Sequence, residues 1–314
     1  MSGRAQLALR RLAQVLPVLL LLLLTVFALR AILPGDPARS IAGPRATEAQ
    51  VEEVRDRLGF DEPLPVAFAS FLEDVTQGQL GVSNRTHQPV AELIVQRAPV
   101  TLSIAIGAVA TTFLIGIPLG WYLALRRGRA DADAASAVLI AVVNVPAFWL
   151  GLMLSILVGL RWGVLPVGGL EPGVTGWIRS MILPCLTVGL VAAPWVARSV
   201  ATSIGGILAS DFVTTARSLR FSGWSLFLHH LLRNALPPTV TLLALQAGSL
   251  LFGAVVVEQV FALPGLGSAL LEAAASRDFA VVQGLTLVLG AAIILVNAAG
   301  DVAVAVLDPR TRWD

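Results

Sequence analysis

Lysine is absent from the 314 residues of this chain, so all 22 basic side chains are arginines. A P-loop ATPase needs a lysine that reaches the nucleotide phosphates, and a Schiff-base enzyme needs a lysine amine. Both classes are therefore excluded for this chain alone. The single cysteine, Cys185, excludes an internal disulfide and a cysteine-rich metal site, and its apolar surroundings indicate a small buried side chain.

Charge of either sign is also scarce. Charged residues make up 13% of the chain, whereas a soluble domain carries about 25%. Hydrophobic residues make up 56%, and the mean hydropathy is +0.80. These values exclude a disordered or collagenous chain and argue against a soluble enzyme, so the composition indicates an integral membrane protein.

Six apolar runs approach or exceed the length of about 20 residues that a membrane-spanning helix needs. They are Leu12 to Leu33, Val100 to Leu125, Ala134 to Leu160, Met181 to Ala197, Pro237 to Leu263 and Val281 to Leu307. We therefore predict an all-α integral membrane fold with six transmembrane helices, the fourth continuing to about Leu208 as it leaves the bilayer. The first run could instead be a signal peptide, but it exceeds the usual signal core and five more runs follow it.

The distribution of arginine predicts the orientation of these helices, because short cytoplasmic loops carry the positive excess. With both termini cytoplasmic, the inner side holds 12 arginines and five acidic residues, and the outer side nine arginines and 13 acidic residues. This gives a first segment 1–33, an extracytoplasmic insert 34–99, a transmembrane core 100–307 containing a cytoplasmic loop 198–236, and a cytoplasmic tail 308–314.

The insert is expected to fold as a small cap. Thr47 and Gln50 form a capping-box pattern, and Gly59 is a helix stop. Two short apolar sets could pack together, the first with Val51, Val54 and Leu58 and the second with Phe68, Phe71, Leu72 and Val75. The cap either shields the outer mouth of the protein or contacts a delivery protein directly.

The cytoplasmic loop mixes apolar and basic residues instead of separating them. Such a segment either lies on the membrane surface or fills a groove on a partner protein, and periodicity favours neither reading. His229 and His230 are adjacent, so on a helix they point in different directions and make a poor metal pair.

Part of this loop, DFVTTARSLRFSGWSLFLHHLLRNALPP at 211–238, resembles the coupling loop of ABC importer membrane subunits, most closely in the peptide-importing branch. The matching residues are Asp211, Phe212, Thr215, Ala216, Arg217, Arg233, Asn234, Ala235, Leu236 and Pro237. Arg220 stands where the family usually has glycine, and arginine resists the positive φ that glycine accepts.

Further landmarks of the B-type permeases of dipeptide and oligopeptide importers occur in order along the chain. They are LPGDP at 33–37, Arg97, Pro99 and Thr101, GIPLG at 116–120, Pro146 with Phe148 and Trp149, LPGLG at 263–267, and LDPR at 307–310. The resemblance implies a type I ABC importer permease fold in the inner membrane of a prokaryote. It also implies a second homologous permease, two ATPase subunits that bind ATP and Mg²⁺, and an extracytoplasmic substrate-binding protein. This chain itself would be a non-catalytic subunit that carries no cofactor.

The resemblance also suggests site residues. A coupling helix from about Thr214 to Leu231 would dock in an ATPase groove and move the spans as a lever. Its apolar anchors would be Leu219, Trp224, Phe227 and Leu228, with Arg217 and Arg220 orienting it. Glu258 and Asp301 lie within the spans, where a carboxylate is costly, and are candidates for a gate or the pathway.

The alternatives concern substrate and energy source. The family includes importers of peptides, glutathione, nickel complexes and other small solutes, so peptide is the majority expectation. An ATP-independent secondary transporter is a second alternative, although neither a helix repeat nor midplane charged sites are evident. A membrane enzyme is disfavoured because Ser, His and acidic residues do not gather at one depth in the predicted spans.

The pI of about 9.4 reflects inner-face arginines and does not indicate nucleic acid binding.

Overall fold

The computed structural model describes residues 3–32, 37–43, 46–57, 63–208 and 233–307. These residues form helices and turns, and the only strand-like pairing among them is an isolated bridge between Val82 and Pro89. An all-α fold is therefore confirmed. The chain divides into two compact units: Met1–Leu12, Leu102–Leu263 and Val296–Asp314 form the first, and Ala13–Thr101 with Pro264–Leu295 form the second.

The helices follow the apolar runs, with differences at their ends. They are α1 Gly3–Ile32, α2 Pro37–Ala42, α3 Glu48–Arg57, α4 Leu64–Thr76, α5 Val90–Leu125, α6 Ala130–Val143, α7 Ala147–Leu154 with a π-helical extension Ser155–Arg161, α8 Gly173–Leu208, α9 Arg233–Val260, α10 Leu266–Ser276 and α11 Phe279–Leu307. The predicted continuation of the fourth span to about Leu208 is confirmed by α8.

Three helices in the described part of the chain are long and apolar enough to cross a membrane. They are Val90–Leu125, Gly173–Gly206 and Phe279–Val302. The apolar parts described in α1 and α9, Gln14–Ala28 and Gly248–Val260, are shorter. The structure therefore supports three spans, or four with the bent pair described next, and the remaining two of the predicted six stay a prediction.

The third predicted span, Ala134 to Leu160, is not one straight helix. Helices α6 and α7 meet at a bend of 106°. Pro146 explains the break, because it has no N–H for a helical hydrogen bond and disfavours the α conformation in the residue before it. Asn144 ends α6, and its side-chain amide donates to the Ile140 carbonyl at 2.7 Å. The predicted span is therefore a bent helix pair with its break at Pro146, and it is the fourth span if the pair crosses the membrane as one unit.

The second predicted span also needs correction at its start. Helix α5 begins at Val90, ten residues before the predicted start at Val100. At 1.5 Å per residue, its 36 residues are about 54 Å long, well beyond the roughly 30 Å of hydrocarbon. The last ten residues of the predicted insert are thus helical and continuous with a span, even though Pro99 lies among them.

The insert contains the predicted capping box. Helix α3 begins directly after Thr47, whose backbone N–H donates to the Gln50 side-chain oxygen at 2.9 Å. The Gln50 N–H in turn points at the Thr47 hydroxyl at 3.4 Å. This reciprocal pattern confirms the predicted helix start. Leu58 and Gly59, the predicted end of the first apolar set, lie outside the described residues.

The aromatic residues of α4 pack on the first helix. The ring of Phe68 lies edge-on to that of Phe27 with centroids 5.2 Å apart, and the Phe71 ring lies 5.8 Å from the same partner. Aromatic pairs at such distances add stabilisation beyond their buried area. Phe68 and Phe71, two of the four residues in the second predicted apolar set, therefore contact the apolar end of α1.

Candidate functional site

The predicted coupling loop connects α8 to α9. Most of its proposed contact residues lie outside the described part of the chain, namely Asp211, Thr215, Ala216, Arg217, Leu219, Arg220, Trp224, Phe227 and Leu228. Arg233 and Asn234 are the first two residues of α9. The structure therefore shows where the loop leaves and rejoins the membrane helices, and the residue assignments inside it remain predictions.

Helices α8 and α9, which flank the loop, pack against each other and against α7. Gly253 of α9 and Gly151 of α7 face α8, where a Cβ added to either glycine would lie 3.3 Å from a methyl carbon of Val188 or Thr187, respectively. The added Cβ at Gly151 would also lie 3.2 Å from Val260. The two helices that flank the loop are therefore in contact with each other and with α7.

Helix α8 also packs closely on α5 through the GIPLG segment at 116–120. A Cβ added to Gly116 would lie 2.8 Å from the Val196 side chain, and one added to Gly120 would lie 2.5 Å from the Ala197 carbonyl oxygen. Small residues at such positions allow two membrane helices to approach backbone to backbone. The two glycines of this landmark are explained by packing, and both are buried.

The same interface continues toward the start of α8. Gly189 faces α5, where an added Cβ would lie 2.5 Å from Thr111. The neighbouring Thr112 hydroxyl donates to the Ala108 carbonyl at 2.8 Å and lies 3.3 Å from the Gly189 carbonyl. Cys185, predicted to be a small buried side chain, is buried, and its Sγ lies 3.6 Å from the Ser103 carbonyl. The contact between α5 and α8 is thus built from small residues and short polar groups.

Glu258 lies two residues before the end of α9 and is fully buried. The turn that follows is shaped by its backbone, because the Leu263 N–H donates to the Glu258 carbonyl at 2.8 Å. Ala262 in this turn has a φ of +48°. Glu258 thus lies at the end of its helix, just before the LPGLG segment, and its role in a gate stays a prediction.

A glycine pair missed by the sequence analysis holds this turn. The Gly169 N–H donates to the Phe261 carbonyl at 2.7 Å, and a Cβ at Gly168 would lie 2.8 Å from the same oxygen. Gly169 itself has a φ of +77°. The Gly-Gly dipeptide is a turn signal that was available in the sequence, but its distant partner was not.

Asp301, the second predicted pathway residue, lies in α11 within two turns of its last residue, Leu307. Its side chain is half-buried. The Asp301 side chain is therefore more exposed than that of Glu258. Contact with substrate is a prediction for both.

The second half of LPGLG belongs to the other compact unit and begins α10. Gly265 precedes this helix and supplies no side-chain cap. The Leu266 N–H, one of the helix donors without an intrahelical acceptor, donates instead to the Thr101 hydroxyl at 2.8 Å. Thr101 is 1% exposed, so water cannot replace this acceptor. Two predicted landmarks that are far apart in sequence are thus joined by one hydrogen bond.

A buried carboxylate that the sequence analysis did not single out lies in the same unit. The Ser83 hydroxyl donates to Asp278 Oδ2 at 2.6 Å, and the Asn84 N–H points at Oδ1 at 3.3 Å. Asp278 also precedes the first residue of α11 and is 4% exposed. An acidic residue directly before an apolar run is a helix-start signal, which would have identified Asp278 but not Ser83.

The chain matches two family descriptions. Residues 116–313 match the family described as "Binding-protein-dependent transport system inner membrane component". Residues 5–105 match the family of the N-terminal part of such membrane components. Together the two matches cover most of the chain, including the insert and both helices that flank the coupling loop.

Curated relatives match over nearly the full length. A protein of Brucella abortus (strain 2308) named as a peptide transport system permease is 38% identical over 98% of this chain and 99% of its own. One of Escherichia coli (strain K12) named for D,D-dipeptide transport is 38% identical over 90% and 91%. A glutathione transport system permease of Salmonella choleraesuis is 37% identical over 97% and 98%.

A solved structure shares the fold. The structure titled as an inward-facing conformation of the MetNI methionine ABC transporter aligns with a TM-score of 0.54 at 21% identity, covering 69% of this chain and 96% of that one. At this identity the likeness shows a type I importer permease fold. The helix packing, the two family matches and the full-length relatives agree: the chain belongs to the inner-membrane components of binding-protein-dependent transport systems.

Proposed function

We propose that the chain is a permease subunit of an ATP-driven importer of di- or oligopeptides. It forms the translocation pathway with a second homologous permease, and an extracytoplasmic binding protein delivers the substrate. Two ATPase subunits bind ATP and Mg²⁺ on the cytoplasmic side, where both termini of this chain lie. The observation that carries the proposal is the near full-length identity of 38% to relatives named for peptide and D,D-dipeptide transport.

The coupling mechanism follows from the helices that flank the loop. Because α8 and α9 pack on each other, a push at the loop moves them together and not separately. Helix α8 also packs on α5 through Gly116 and Gly120, so part of that motion passes to α5. Closure of the ATPases on nucleotide therefore tilts a packed group of helices, which is the rigid-body form of alternating access.

The first test is association with the ATPases. We expect ATPase subunits to copurify with the tagged chain, and Trp224→Asp with Leu228→Asp to abolish this because both apolar anchors would carry charge. A matched control is Trp162→Asp with Val164→Asp, two side chains that are 65% and 58% exposed outside the loop. The control should retain the ATPases. An ATPase yield that is the same in both double variants, with normal membrane insertion, contradicts the docking role of the loop.

The second test separates the substrates. Cells lacking this chain are assayed for uptake of a labelled dipeptide, a labelled oligopeptide, glutathione and nickel, with the chain supplied on a plasmid. Peptide uptake that returns with the plasmid and stops with vanadate supports the proposal. Restoration of glutathione uptake alone, or of nickel uptake alone, shifts the assignment to that substrate within the same architecture. Uptake that resists vanadate and stops with an ionophore favours the ATP-independent secondary transporter.

A further inference from the structure

An open cleft of about 420 Å³ lies where α5 ends, between α6 and α8. Leu139, Ile140 and Val143 of α6 line one wall, and Trp195 of α8 lines another. The lining also includes two arginines, Arg127 just after α5 and Arg198 of α8. The cleft thus joins an apolar surface to two positive charges at the end of a membrane span.

In the part of the chain that the structure describes, these two arginines differ from their neighbours because no carboxylate pairs with them. Arg126 and Arg129 both pair with Asp131, at 2.5 and 3.3 Å. Among the described residues, neither Arg127 nor Arg198 forms an ion pair, and both are exposed.

The Arg127 side chain reaches toward α8, because its Nη1 atom would lie 3.6 Å from a Cβ added at Gly205. Gly205 is seven residues from Arg198, which is two helical turns, so both lie on one side of α8. Arg127 and Arg198 thus line the same side of the cleft, and their positive charges make it complementary to an anion.

The size of the cleft limits its occupant. Its volume falls within the range of about 300–1,000 Å³ that is typical of small-molecule sites. Trp195 is 42% exposed, so its indole is available to a ligand. The occupant needs a compact anionic head and an apolar tail.

We propose that this cleft binds an anionic phospholipid from the surrounding bilayer. The phosphodiester lies between Arg127 and Arg198, and one acyl chain lies against Trp195 and the apolar face of α6. Basic pockets between membrane helices recognise anionic lipid headgroups in this way. Because the site lies where α5, α6 and α8 meet, a bound lipid stabilises their packing.

The proposal is tested on the full-length chain, purified in mild detergent with whatever subunits accompany it. Binding of phosphatidylglycerol, phosphatidylcholine and inorganic phosphate is measured by native mass spectrometry after delipidation. We expect phosphatidylglycerol to bind most tightly. Arg127→Gln with Arg198→Gln should weaken phosphatidylglycerol binding about 25-fold, since one arginine near a membrane surface contributes about fivefold. The matched control is Arg129→Gln, which removes a charge from the same loop outside the cleft and should leave affinity unchanged.

A second experiment identifies the occupant directly. A photoreactive amino acid at position 140 is activated in native membranes, and the crosslinked mass is determined. A phospholipid adduct that disappears in the Arg127→Gln, Arg198→Gln variant supports the proposal. A crosslink to a peptide of this chain or of a partner permease overturns it. Equal binding of phosphatidylcholine, or displacement of the lipid by millimolar phosphate alone, also overturns it.

Discussion

The close contact between α5 and α8 gives a sharp prediction for Gly120→Ala. The added methyl carbon would lie 2.5 Å from the Ala197 carbonyl oxygen and 2.7 Å from the Val200 Cβ. Even weakly attractive carbon–oxygen contacts are about 3.3–3.6 Å long, so the helices must separate by roughly 0.8 Å. Overpacking of this kind costs about 1–3 kcal/mol, while replacing glycine by alanine inside a helix returns about 1 kcal/mol.

A matched control separates these two contributions. Among the described residues, no atom lies within 4 Å of a Cβ added to Gly206 of α8, so Gly206→Ala changes helix propensity without a clash there. We expect Gly120→Ala to be less stable than Gly206→Ala by about 1–3 kcal/mol. The measurement is the free energy of unfolding in mixed micelles of a mild and a denaturing detergent, followed by circular dichroism. If Gly120→Ala is as stable as Gly206→Ala, the helices are not in backbone contact at this position and the argument fails.

The other predictions concern the second compact unit. Asp278→Ala should destabilise the protein by about 2–4 kcal/mol, because it removes the carboxylate that accepts from the Val281 N–H at the start of α11 and leaves the buried Ser83 hydroxyl without its acceptor. Asp278→Asn keeps an acceptor oxygen and should therefore destabilise the protein less. Thermal unfolding in detergent measures the stability of both variants. An equal loss of stability in the two variants would contradict the role of Asp278 as an acceptor. Thr101→Val should cost about 1–3 kcal/mol because the Leu266 N–H loses its buried acceptor, and Thr101→Ser should restore most of that stability. A valine variant as stable as the serine variant would show that the hydroxyl is not needed.

The apolar runs were sufficient to predict an all-α membrane fold and the approximate position of most helices. Helix α11 begins within two residues of the predicted start at Val281, because the apolar run there has a clear polar edge at Asp278. The predicted span Ala134 to Leu160 is bent where local backbone chemistry outweighs hydropathy. Pro146 ends one helix and begins another, and average hydropathy does not register that change of direction.

The family landmarks could be read from the sequence as strings, but their physical reasons could not. GIPLG is explained by what lies opposite its glycines on α8, and LPGLG by the buried Thr101 hydroxyl that accepts from Leu266. These partners are tens of residues or more away along the chain. Local patterns carry no information about such distant partners when a helix is apolar all round.

The sequence by itself determined the membrane class, the absence of an ATP-binding lysine, the capping box of α3 and the resemblance to importer permeases. Each of these depends on composition or on residues a few positions apart, which act through solvation and local hydrogen bonding. Only the tertiary structure decided that Ser83 contacts Asp278, that Gly120 meets α8, and that Arg127 and Arg198 share one cleft. Those results depend on which helix faces pack together, and packing is set by shape and close approach between distant segments.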